Sequence, residues 1–395
     1  MPSNRNNRIF VTGMGAITPL GFSVSETWRG LLAGTSAITP LDLFDLNGIS
    51  CTQAGQIRNF TPPACITSPD RATTFAAAAC IEALGTNFKS QISNFPIALV
   101  TATNFGALDA GEQALASDSP AADAAACLTA HAPADRLAAA LNLTGPCATI
   151  TLSCAAGAAG LAYAAGLIRH GRAERVLVVG YDAISRFAWS GLCALRTMTR
   201  DRIRPFDLNR SGTLFSEGAA ALLLESEPSA LVRNTAPLAE LVGWGTNNNA
   251  FHMTAPAPRG AGSAQAMRQA LARASLPPEA IDHINAHGTG TKPNDATESQ
   301  AISDLFGAHA PRIPVTSIKS SLGHMLGAAG TIEAIASILS LREGIIPPTT
   351  NFETPDPECA IDLVANQPRQ VKLRRVLSNS AGIGGCNAAV IFAGL

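Results

Sequence analysis

Short apolar runs rich in β-branched residues alternate along this chain with longer stretches rich in Ala and Leu. The short runs predict buried strands, and the longer stretches predict helices. Predicted strands cover residues 9–12, 97–100, 148–151, 176–179, 219–224, 239–243, 281–285 and 315–317, with two more at the end of the chain; predicted helices cover residues 25–33, 264–274, 295–306 and 330–341. This alternation is typical of an α/β protein with a layered core.

From about residue 238 onwards, the strand and helix rhythm of the first part is repeated. We therefore expect two similar halves packed together, residues 1–237 and 238–395. Three stretches rich in polar residues and proline, 61–69, 116–122 and 347–357, predict surface loops and not domain boundaries.

The composition is that of a well-buried globular protein. Of 395 residues, 47% are apolar and only 14% are charged, and 28 Lys and Arg face 29 Asp and Glu. Because these charges nearly cancel, the net charge does not attract nucleic acid or an anionic membrane. A partner held by electrostatics would need a local patch of charged residues. Nine cysteines without a C-x-x-C pair, and an N-terminus unlike a signal peptide, lead us to expect a reducing cytoplasm.

One stretch of twenty uncharged residues, 149–168, is long enough to span a bilayer. It begins with a strand-like run and is rich in Ala and Gly, and no second such stretch accompanies it. The same pattern is typical of a helix at the centre of a large protein core, which is our prediction.

A single cysteine, Cys154, lies where the strand-like run 148–151 gives way to this apolar stretch, which ends at Arg169, His170 and Gly171. The pattern predicts a strand, a tight turn and a buried helix. A thiol at a helix N-terminus faces the positive end of the helix dipole, which favours the thiolate. Two interpretations stay open at this point: a nucleophile, or a small buried apolar residue.

Three later segments combine polar side chains with glycines at the ends of predicted strands. The first runs from Asn285 through His287 to Asp295, and the second contains Lys319 and His324. The third, residues 379–387, is a glycine turn before the last strand. Each segment alone is compatible with a structural histidine or an ordinary turn.

Together with Cys154, these segments make the chain resemble the decarboxylating β-ketoacyl-acyl-carrier-protein synthases of the Cys-His-His type. The resemblance runs nearly end to end, through Val11-Thr-Gly-Met-Gly15, Ser36-Ala-Ile38, Arg204-Pro-Phe-Asp207 and Gly384-Gly385. It implies a thiolase-like fold, in which two similar halves form a five-layered α-β-α-β-α core. It also implies condensation of a cysteine-bound acyl group with malonyl carrier protein, with release of CO₂.

The resemblance assigns roles to the polar residues. Cys154 carries the acyl group, and its backbone N–H and that of Ile383 hold the thioester oxygen. His287 and His324 donate N–H bonds to the enolate oxygen that forms when CO₂ leaves. Lys319 is expected to orient His324, with Glu333 as the carboxylate partner that a buried lysine needs.

Further residues follow from the same resemblance. Thr289 and Thr291 would contact the pantetheine arm of the carrier, and Asp295 and Glu298 would support the site. No dissociable cofactor is implied, because phosphopantetheine arrives on the carrier. The spacing of His283 and His287 is that of zinc ligands on a helix, but the segment reads as a strand and a loop, so we expect no metal.

An acyl carrier protein is acidic, so we expect a basic patch to dock it. Arg71 and Arg200 fall near the docking positions of the family, with Arg202 and Arg204 close by. The family is dimeric, and the chain is expected to pair either with a copy of itself or with a related subunit.

The chain departs from the family at a gate to the acyl pocket. Two phenylalanines of the last glycine motif are replaced here by Ala381 and Ile383, which removes bulk from the gate. Phe105 falls where family members set the depth of the pocket, and segment 106–135 is short and rich in Ala. We therefore expect altered acyl selectivity and a specialised polyene or polyketide-like lipid pathway.

Two alternatives remain for the whole chain. Some relatives are non-catalytic chain-length partners, but these lack the nucleophile that Cys154 would supply. Thiolases condense without decarboxylation and use a second cysteine near the C-terminus, a position that Cys386 could fill. The two histidines and the Gly-Thr-Gly-Thr loop favour the synthase.

Overall fold

A computed structural model describes residues 8–85, 96–116 and 129–395, and eleven of the described strands form one mixed sheet. The first part contributes the strands β1 (Ile9–Ile17), β4 (Ala98–Ala102), β5 (Cys147–Ile150), β6 (Arg175–Asp182) and β7 (Gly218–Ser226). Their order is β5-β4-β6-β7-β1, with parallel pairs β5/β4 and β4/β6 and antiparallel pairs β6/β7 and β7/β1. Two short strands, β2 (Thr39–Pro40) and β3 (Gln53–Ala54), pair separately.

The second part repeats this arrangement. Its strands are β8 (Ala239–Asn248), β9 (His283–Asn285), β10 (Pro314–Thr316), β14 (Arg375–Gly382) and β15 (Cys386–Ala393), in the order β10-β9-β14-β15-β8, with β12 (Asp362–Leu363) added at the edge. The parallel and antiparallel pairs fall in the same places as in the first part. The strands β11 (Ile345–Ile346) and β13 (Arg369–Gln370) form a small ribbon.

Helices complete five layers. They are α1 (Val24–Leu32), α2 (Arg71–Leu84), α3 (Leu108–Leu115), α4 (Ala132–Ala140), α5 (Ala156–Arg169), α6 (Arg186–Ala194), α7 (Glu227–Val232), α8 (Ala261–Ala274), α9 (Lys292–Phe306), α10 (Lys319–Leu322) and α11 (Ala329–Glu343). Helices α5 and α11 pack between the two halves of the sheet, each against strands of both halves, while α2 covers the outer face of the first half and α8 that of the second. The predicted thiolase-like α-β-α-β-α core is confirmed.

The halves meet where β1 pairs with β8 and where the two central helices touch. A Cβ on Gly157 of α5 would lie 2.7 Å from the backbone nitrogen of Thr331 of α11. A Cβ on Gly330 would lie 2.4 Å from the backbone nitrogen of Ala158. Only glycine fits at these positions, because the two backbones are in contact. The small residues of the uncharged stretch therefore serve close helix packing.

The uncharged stretch 149–168 divides into the end of β5, a turn and most of helix α5. The helix ends, as predicted, just before Gly171, where φ is 65°. Across the described ranges, no helix is long and apolar enough to cross a membrane. The predicted boundary at residue 237 falls between β7 and β8, and it stays a prediction.

Several element boundaries differ from the sequence prediction. Helix α9 begins at Lys292 and not at 295, with Pro293 in its first turn, and β8 extends to Asn248. Helix α2, which the predicted elements do not include, is Ala-rich and capped by Asp70, whose carboxylate accepts from the Thr73 N–H at 2.6 Å. Residues 61–69 and 347–357 are irregular, whereas most of predicted loop 116–122 and part of segment 106–135 lie outside the described residues.

Candidate active site

A cavity of about 650 Å³ opens beside the N-terminus of α5 and brings together most of the predicted site. Its lining includes the predicted residues Cys154, His287, His324, Thr289, Thr291, Glu298, Phe105, Ala381 and Ile383. Lys319, Glu333 and Asp295 are buried behind the wall, and neither Arg71 nor Arg200 lines the cavity.

Cys154 lies in the turn between β5 and α5. The preceding residue, Ser153, has φ of 50°, a left-handed conformation that aims the turn sharply into the cavity. The thiol is 8% exposed, and its sulfur lies 3.9 Å from the Ser153 hydroxyl. Burial raises the pKa of Cys154 to about 11, against smaller lowering effects from Ser153 and Lys319. Burial therefore acts against the thiolate that the helix N-terminus was expected to favour, and a pKa of about 11 corresponds to a resting thiol.

His324 follows α10 and is held in one tautomer. Its Nδ1 accepts a hydrogen bond from the backbone N–H of Leu326 at 3.2 Å, so the ring proton is on Nε2. Nε2 is buried and has no hydrogen-bond partner within the described part of the chain. Burial, and then Lys319, hold the pKa of His324 well below its usual range. The ring is thus neutral and presents an unused N–H to the cavity.

His287 lies against His324, with ring centroids 5.4 Å apart at 84°. The Lys319 ammonium approaches His287 Nδ1 at 3.4 Å and donates to the His287 carbonyl at 2.6 Å. Lys319 therefore positions His287, and the prediction that it orients His324 is wrong. The reason is tertiary: Lys319 begins α10, whose first turn faces the end of β9, whereas His324 comes after that helix.

The lysine is paired as predicted with Glu333 of α11, and both side chains are almost fully buried. Burial raises the pKa of Glu333 to about 7, while Lys319 opposes that shift. Burial first, then Lys319 and His324, lower the pKa of His287 well below its usual range. Both imidazoles are consequently neutral near neutral pH.

Two carboxylates from α9 hold the loop that follows His287. Glu298 accepts the backbone N–H groups of His287 and Gly288, each at 2.8 Å. Asp295 accepts the N–H of Phe206 at 2.8 Å and that of Gly290 at 3.2 Å, and burial raises its pKa to about 6. Between them the hydroxyls of Thr289 and Thr291 lie 2.9 Å apart. These contacts fit the supporting role expected of the two carboxylates.

The glycine turn between β14 and β15 touches the turn at Cys154. A Cβ on Gly382 would lie 3.0 Å from the Ser153 Cβ and 3.1 Å from the Cys154 backbone nitrogen. The next residue, Ile383, is 37% exposed and lines the cavity with Ala381. The two backbone segments that supply the predicted oxyanion donors are therefore adjacent.

The sequence interpretation missed a buried carboxylate, Asp182, at the end of β6. It accepts from the N–H groups of Phe105 at 2.9 Å, Asn104 at 3.1 Å and Gly327 at 2.7 Å, and burial raises its pKa to about 6. It thereby ties the Phe105 segment to the turn that follows His324. An acidic residue closing an otherwise apolar strand is the signal that could have found it.

The predicted docking arginines differ in their surroundings. Arg71 forms an ion pair with Glu217, a fully buried carboxylate, and donates to the Ile57 carbonyl at 3.1 Å. Arg204 is paired with Asp201 and Glu353, whereas Arg200 and Arg202 are exposed. Carrier docking by Arg71 and Arg200 stays a prediction.

The alternatives weighed from sequence can be located as well. His283 is buried on β9 with Nδ1 2.8 Å from the Pro314 carbonyl oxygen. Within the described ranges, no group of three or more His, Cys, Asp or Glu could hold a metal ion. Cys386 accepts from the Asn248 amide at 3.4 Å and is absent from the cavity wall formed by the described residues.

A buried thiol facing two neutral imidazoles in a thiolase-like fold defines a condensing acyltransferase. Comparison with known proteins agrees: family models for the N-terminal and C-terminal domains of beta-ketoacyl synthase match residues 6–230 and 238–353. The chain belongs to the beta-ketoacyl synthase family.

Individual relatives cover the whole chain. The 3-oxoacyl-[acyl-carrier-protein] synthase 2 of Synechocystis sp. is 34% identical over 99% of both chains. The ishigamide ketosynthase/chain length factor structure covers 99% of this chain and 100% of its own, with 35% identity and a TM-score of 0.91. A type II PKS acyl-carrier protein in complex with its ketosynthase bound to the hexaketide gives 28% identity and a TM-score of 0.88, over 99% and 100%.

Proposed function

We propose that this chain is a 3-oxoacyl-[acyl-carrier-protein] synthase, in which Cys154 carries an acyl group and His287 and His324 drive decarboxylation of a malonyl thioester. One observation carries the proposal: the thiol and both imidazoles line one cavity, and His324 presents an unused N–H there. The non-catalytic alternative is disfavoured because the nucleophile is in place. The thiolase alternative is disfavoured because Cys386 does not line the described cavity wall.

The first half-reaction exchanges one thioester for another. The Cys154 sulfur attacks the acyl carbonyl of the carrier thioester, and the carrier sulfur leaves. The proton lost by the Cys154 thiol ends on the departing carrier sulfur, so no net base is consumed. Since the resting thiol is protonated, its reactivity depends on the N-terminus of α5 and on Lys319, which lowers its pKa against burial.

The second half-reaction makes the carbanion equivalent. The bond between the malonyl methylene and its carboxyl group breaks, CO₂ leaves, and the electron pair moves to the thioester oxygen. Neutral imidazoles fit this step because each donates an N–H to the developing enolate without first losing a proton to solvent. Lys319 and Leu326 fix the ring protons on Nε2 of His287 and His324 by occupying Nδ1 of each ring.

The enolate carbon then attacks the acyl carbonyl on Cys154. The negative oxygen of the tetrahedral intermediate would be held by the backbone N–H groups of Cys154 and Ile383, whose segments touch at Gly382. The attack itself forms the new carbon–carbon bond. Collapse of the intermediate re-forms the carbonyl and breaks the bond to the Cys154 sulfur, which leaves as a thiolate and takes up a proton from solvent. The product is a 3-oxoacyl group on the carrier.

The partner in this reaction is an acyl carrier protein. Its pantetheine arm would enter along Thr289 and Thr291, which line the cavity, and Arg200 and Arg202 offer exposed positive charge for the acidic carrier. The type II PKS structure, in which an acyl-carrier protein is in complex with its ketosynthase, supports a carrier as the partner. A cytoplasmic location stays a prediction.

A second ketosynthase-type subunit is the other proposed partner. Strand β5 ends the sheet, Phe187 at the start of α6 is 68% exposed, and Leu115 of α3 is 71% exposed. Glu112 links these helices by accepting the Phe187 N–H. A copy of this chain or a chain length factor would cover these apolar side chains. Phe187→Glu should lower the mass measured by sedimentation, and an unchanged mass would remove this surface from consideration.

We further propose a specialised acyl substrate over housekeeping elongation. Ala381 and Ile383 line the cavity where the family has phenylalanines, while the half-buried Phe105 ring packs against the apolar cluster that contains Phe215. Wild type, Ala381→Phe and Ile383→Phe would be loaded with acyl carriers of different length and rigidity. Preferential use of long saturated chains by wild type would contradict the specialised substrate.

The central test is mass spectrometry of the whole protein after incubation with acyl carrier, combined with measurement of CO₂ from malonyl carrier. An acyl adduct on Cys154 that disappears on addition of malonyl carrier supports the synthase. The matched control is Cys386→Ala, which should form the same adduct. If wild type forms no adduct and releases no CO₂, the proposal is contradicted and the chain is better explained as a non-catalytic chain-length partner.

A further inference from the structure

Three polar atoms on the cavity wall have no hydrogen-bond partner among the described residues: Nε2 of His324, Oδ1 of Asn104 and Oγ1 of Thr213. Thr213 is only 3% exposed, and it has no role in the proposed mechanism. Other hydroxyls on the same wall are satisfied, such as Ser263, which donates to Asn387 at 3.3 Å. A buried hydroxyl without a partner is destabilising, and a ligand that supplies the partner relieves that penalty.

The backbone places Thr213 between the proposed pantetheine loop and the imidazoles. The N–H of Gly212 donates to the carbonyl of Gly290 at 2.9 Å, and Gly290 separates Thr289 from Thr291. On the other side, the N–H of His324 donates to the Leu214 carbonyl at 2.8 Å.

Side-chain direction agrees with this placement. The Phe215 ring stacks on His324 with centroids 5.5 Å apart. The segment is extended, so Thr213 and Phe215 project to the same side. The Thr213 side chain is therefore on the face that meets the imidazoles, where the group carried by the pantetheine arm would end.

A malonyl thioester brings two polar groups to this place. Its thioester oxygen is matched by the imidazole N–H groups, which leaves the carboxylate as the group without a protein partner. We propose that the Thr213 hydroxyl donates a hydrogen bond to the malonyl carboxylate and so selects and positions the extender unit. This inference rests on the proposed function, since it concerns the second substrate of that reaction.

The direction of the kinetic effect follows from the chemistry. The carboxylate loses its charge as CO₂ forms, so a bond to it is stronger in the ground state than in the transition state. Removing the bond should raise KM for malonyl carrier about tenfold and change kcat by less than about threefold. Loading of Cys154 should be unaffected, because the acyl donor has no carboxylate.

The test uses full-length Thr213→Val, which keeps the shape and removes the hydroxyl, with Thr213→Ser as the matched control. The probes are carriers bearing malonyl or acetyl through an unreactive amide in place of the thioester. Thr213→Val should bind the malonyl probe about tenfold more weakly and the acetyl probe as wild type does, and Thr213→Ser should bind both normally. Equal affinity of Thr213→Val and wild type for the malonyl probe would overturn the proposal, as would an equal loss for both probes.

Thermal unfolding supplies an independent readout. Because Thr213→Val removes an unsatisfied buried hydroxyl, its Tm should equal or exceed that of wild type. A lower Tm with unchanged malonyl binding would show a structural role and contradict the inference. Loading of Cys154 in wild type distinguishes the two proposals: its absence would refute the proposed function, whereas normal loading with unaltered malonyl binding by Thr213→Val would refute only this one.

Discussion

The turns that precede the two central helices hold equivalent places in the two halves, yet they carry different chemistry. In the first half, the turn between β5 and α5 carries Cys154, and small residues let α5 touch α11. In the second half, the segment between β10 and α11 carries Lys319 and His324, with Glu333 one turn into the helix. The same scaffold thus places the proposed nucleophile on one side and the proposed hydrogen-bond donors on the other.

The two turns differ in what burial does to the protonation state of their functional side chains. At Cys154, burial raises the pKa and keeps the thiol protonated, and the lowering effect of Lys319 is opposed by Asp182 and Glu333. In the second half, burial keeps His324 of the second turn and His287 at the end of β9 neutral, while the buried ion pair of Lys319 and Glu333 holds His287 in position. Desolvation therefore disfavours the charged form in both halves. In the first half it makes the Cys154 thiol less reactive, and in the second half it keeps the imidazoles neutral, so that they can donate hydrogen bonds.

The largest expected effect is that of replacing Cys154, which should stop condensation without stopping CO₂ release. Cys154→Ala should lower condensation by about 10⁴-fold or more, because the acyl group has no carrier. The same variant should still release CO₂ from malonyl carrier, since the histidines are untouched. Mass spectrometry and CO₂ measurement on the same sample check both halves, and a variant that loses CO₂ release as well would show that the two turns do not act separately.

The buried pair of the second half is the next test. Lys319→Met should lower the free energy of unfolding by about 3–5 kcal/mol, because it leaves the Glu333 carboxylate buried without its partner. The loss should shrink as pH falls, since Glu333 then takes up a proton. The double variant Lys319→Met with Glu333→Gln should be more stable than Lys319→Met alone in urea unfolding. If the single and double variants unfold at the same urea concentration, the pair is not coupled as described.

Replacing His324 in the second turn should have the opposite effect, slowing CO₂ release without stopping the loading of Cys154. His324→Ala should lower CO₂ release by about 10²–10³-fold, the range for removal of one oxyanion donor, while loading of Cys154 continues. His324→Gln, which retains an N–H donor, is the matched control and should recover part of the rate. Loss of loading in His324→Ala would contradict the division of labour.

A smaller effect concerns pH. The imidazoles themselves should add no pH dependence to CO₂ release between about pH 6 and pH 8, because both have pKa values well below the ordinary 6.5 and are already neutral. A group behind them that titrates in this range is Glu333, whose pKa is about 7. Alkylation of Cys154 by iodoacetamide should instead rise about tenfold per unit over the same range, since its pKa is about 11. A fall in CO₂ release to about a quarter at pH 6 with a midpoint near 6.5 would indicate an ordinary histidine, whereas a midpoint near 7 would indicate Glu333.

Much of the fold was accessible from periodicity. The strand runs and the helices at α8, α9 and α11 are apparent in the alternation of apolar segments, and the break after residue 171 follows from basic residues and a glycine. Helix α2 was not distinguished, because alanine-rich sequence has no strong polar face. The resemblance to the condensing enzymes supplied the site residues, whose roles no periodicity could assign.

The sequence by itself determined the residue types and their order: a thiol before an apolar helix, two histidines after strands, and glycines where backbones must touch. Tertiary structure alone decided which ring Lys319 meets, that Asp182 joins two loops, and that the Thr213 hydroxyl has no partner among the described residues. Those facts depend on contacts between segments far apart in the chain. The protonation of Cys154 was decided the same way, because desolvation depends on everything packed around a group and not on its neighbours in sequence.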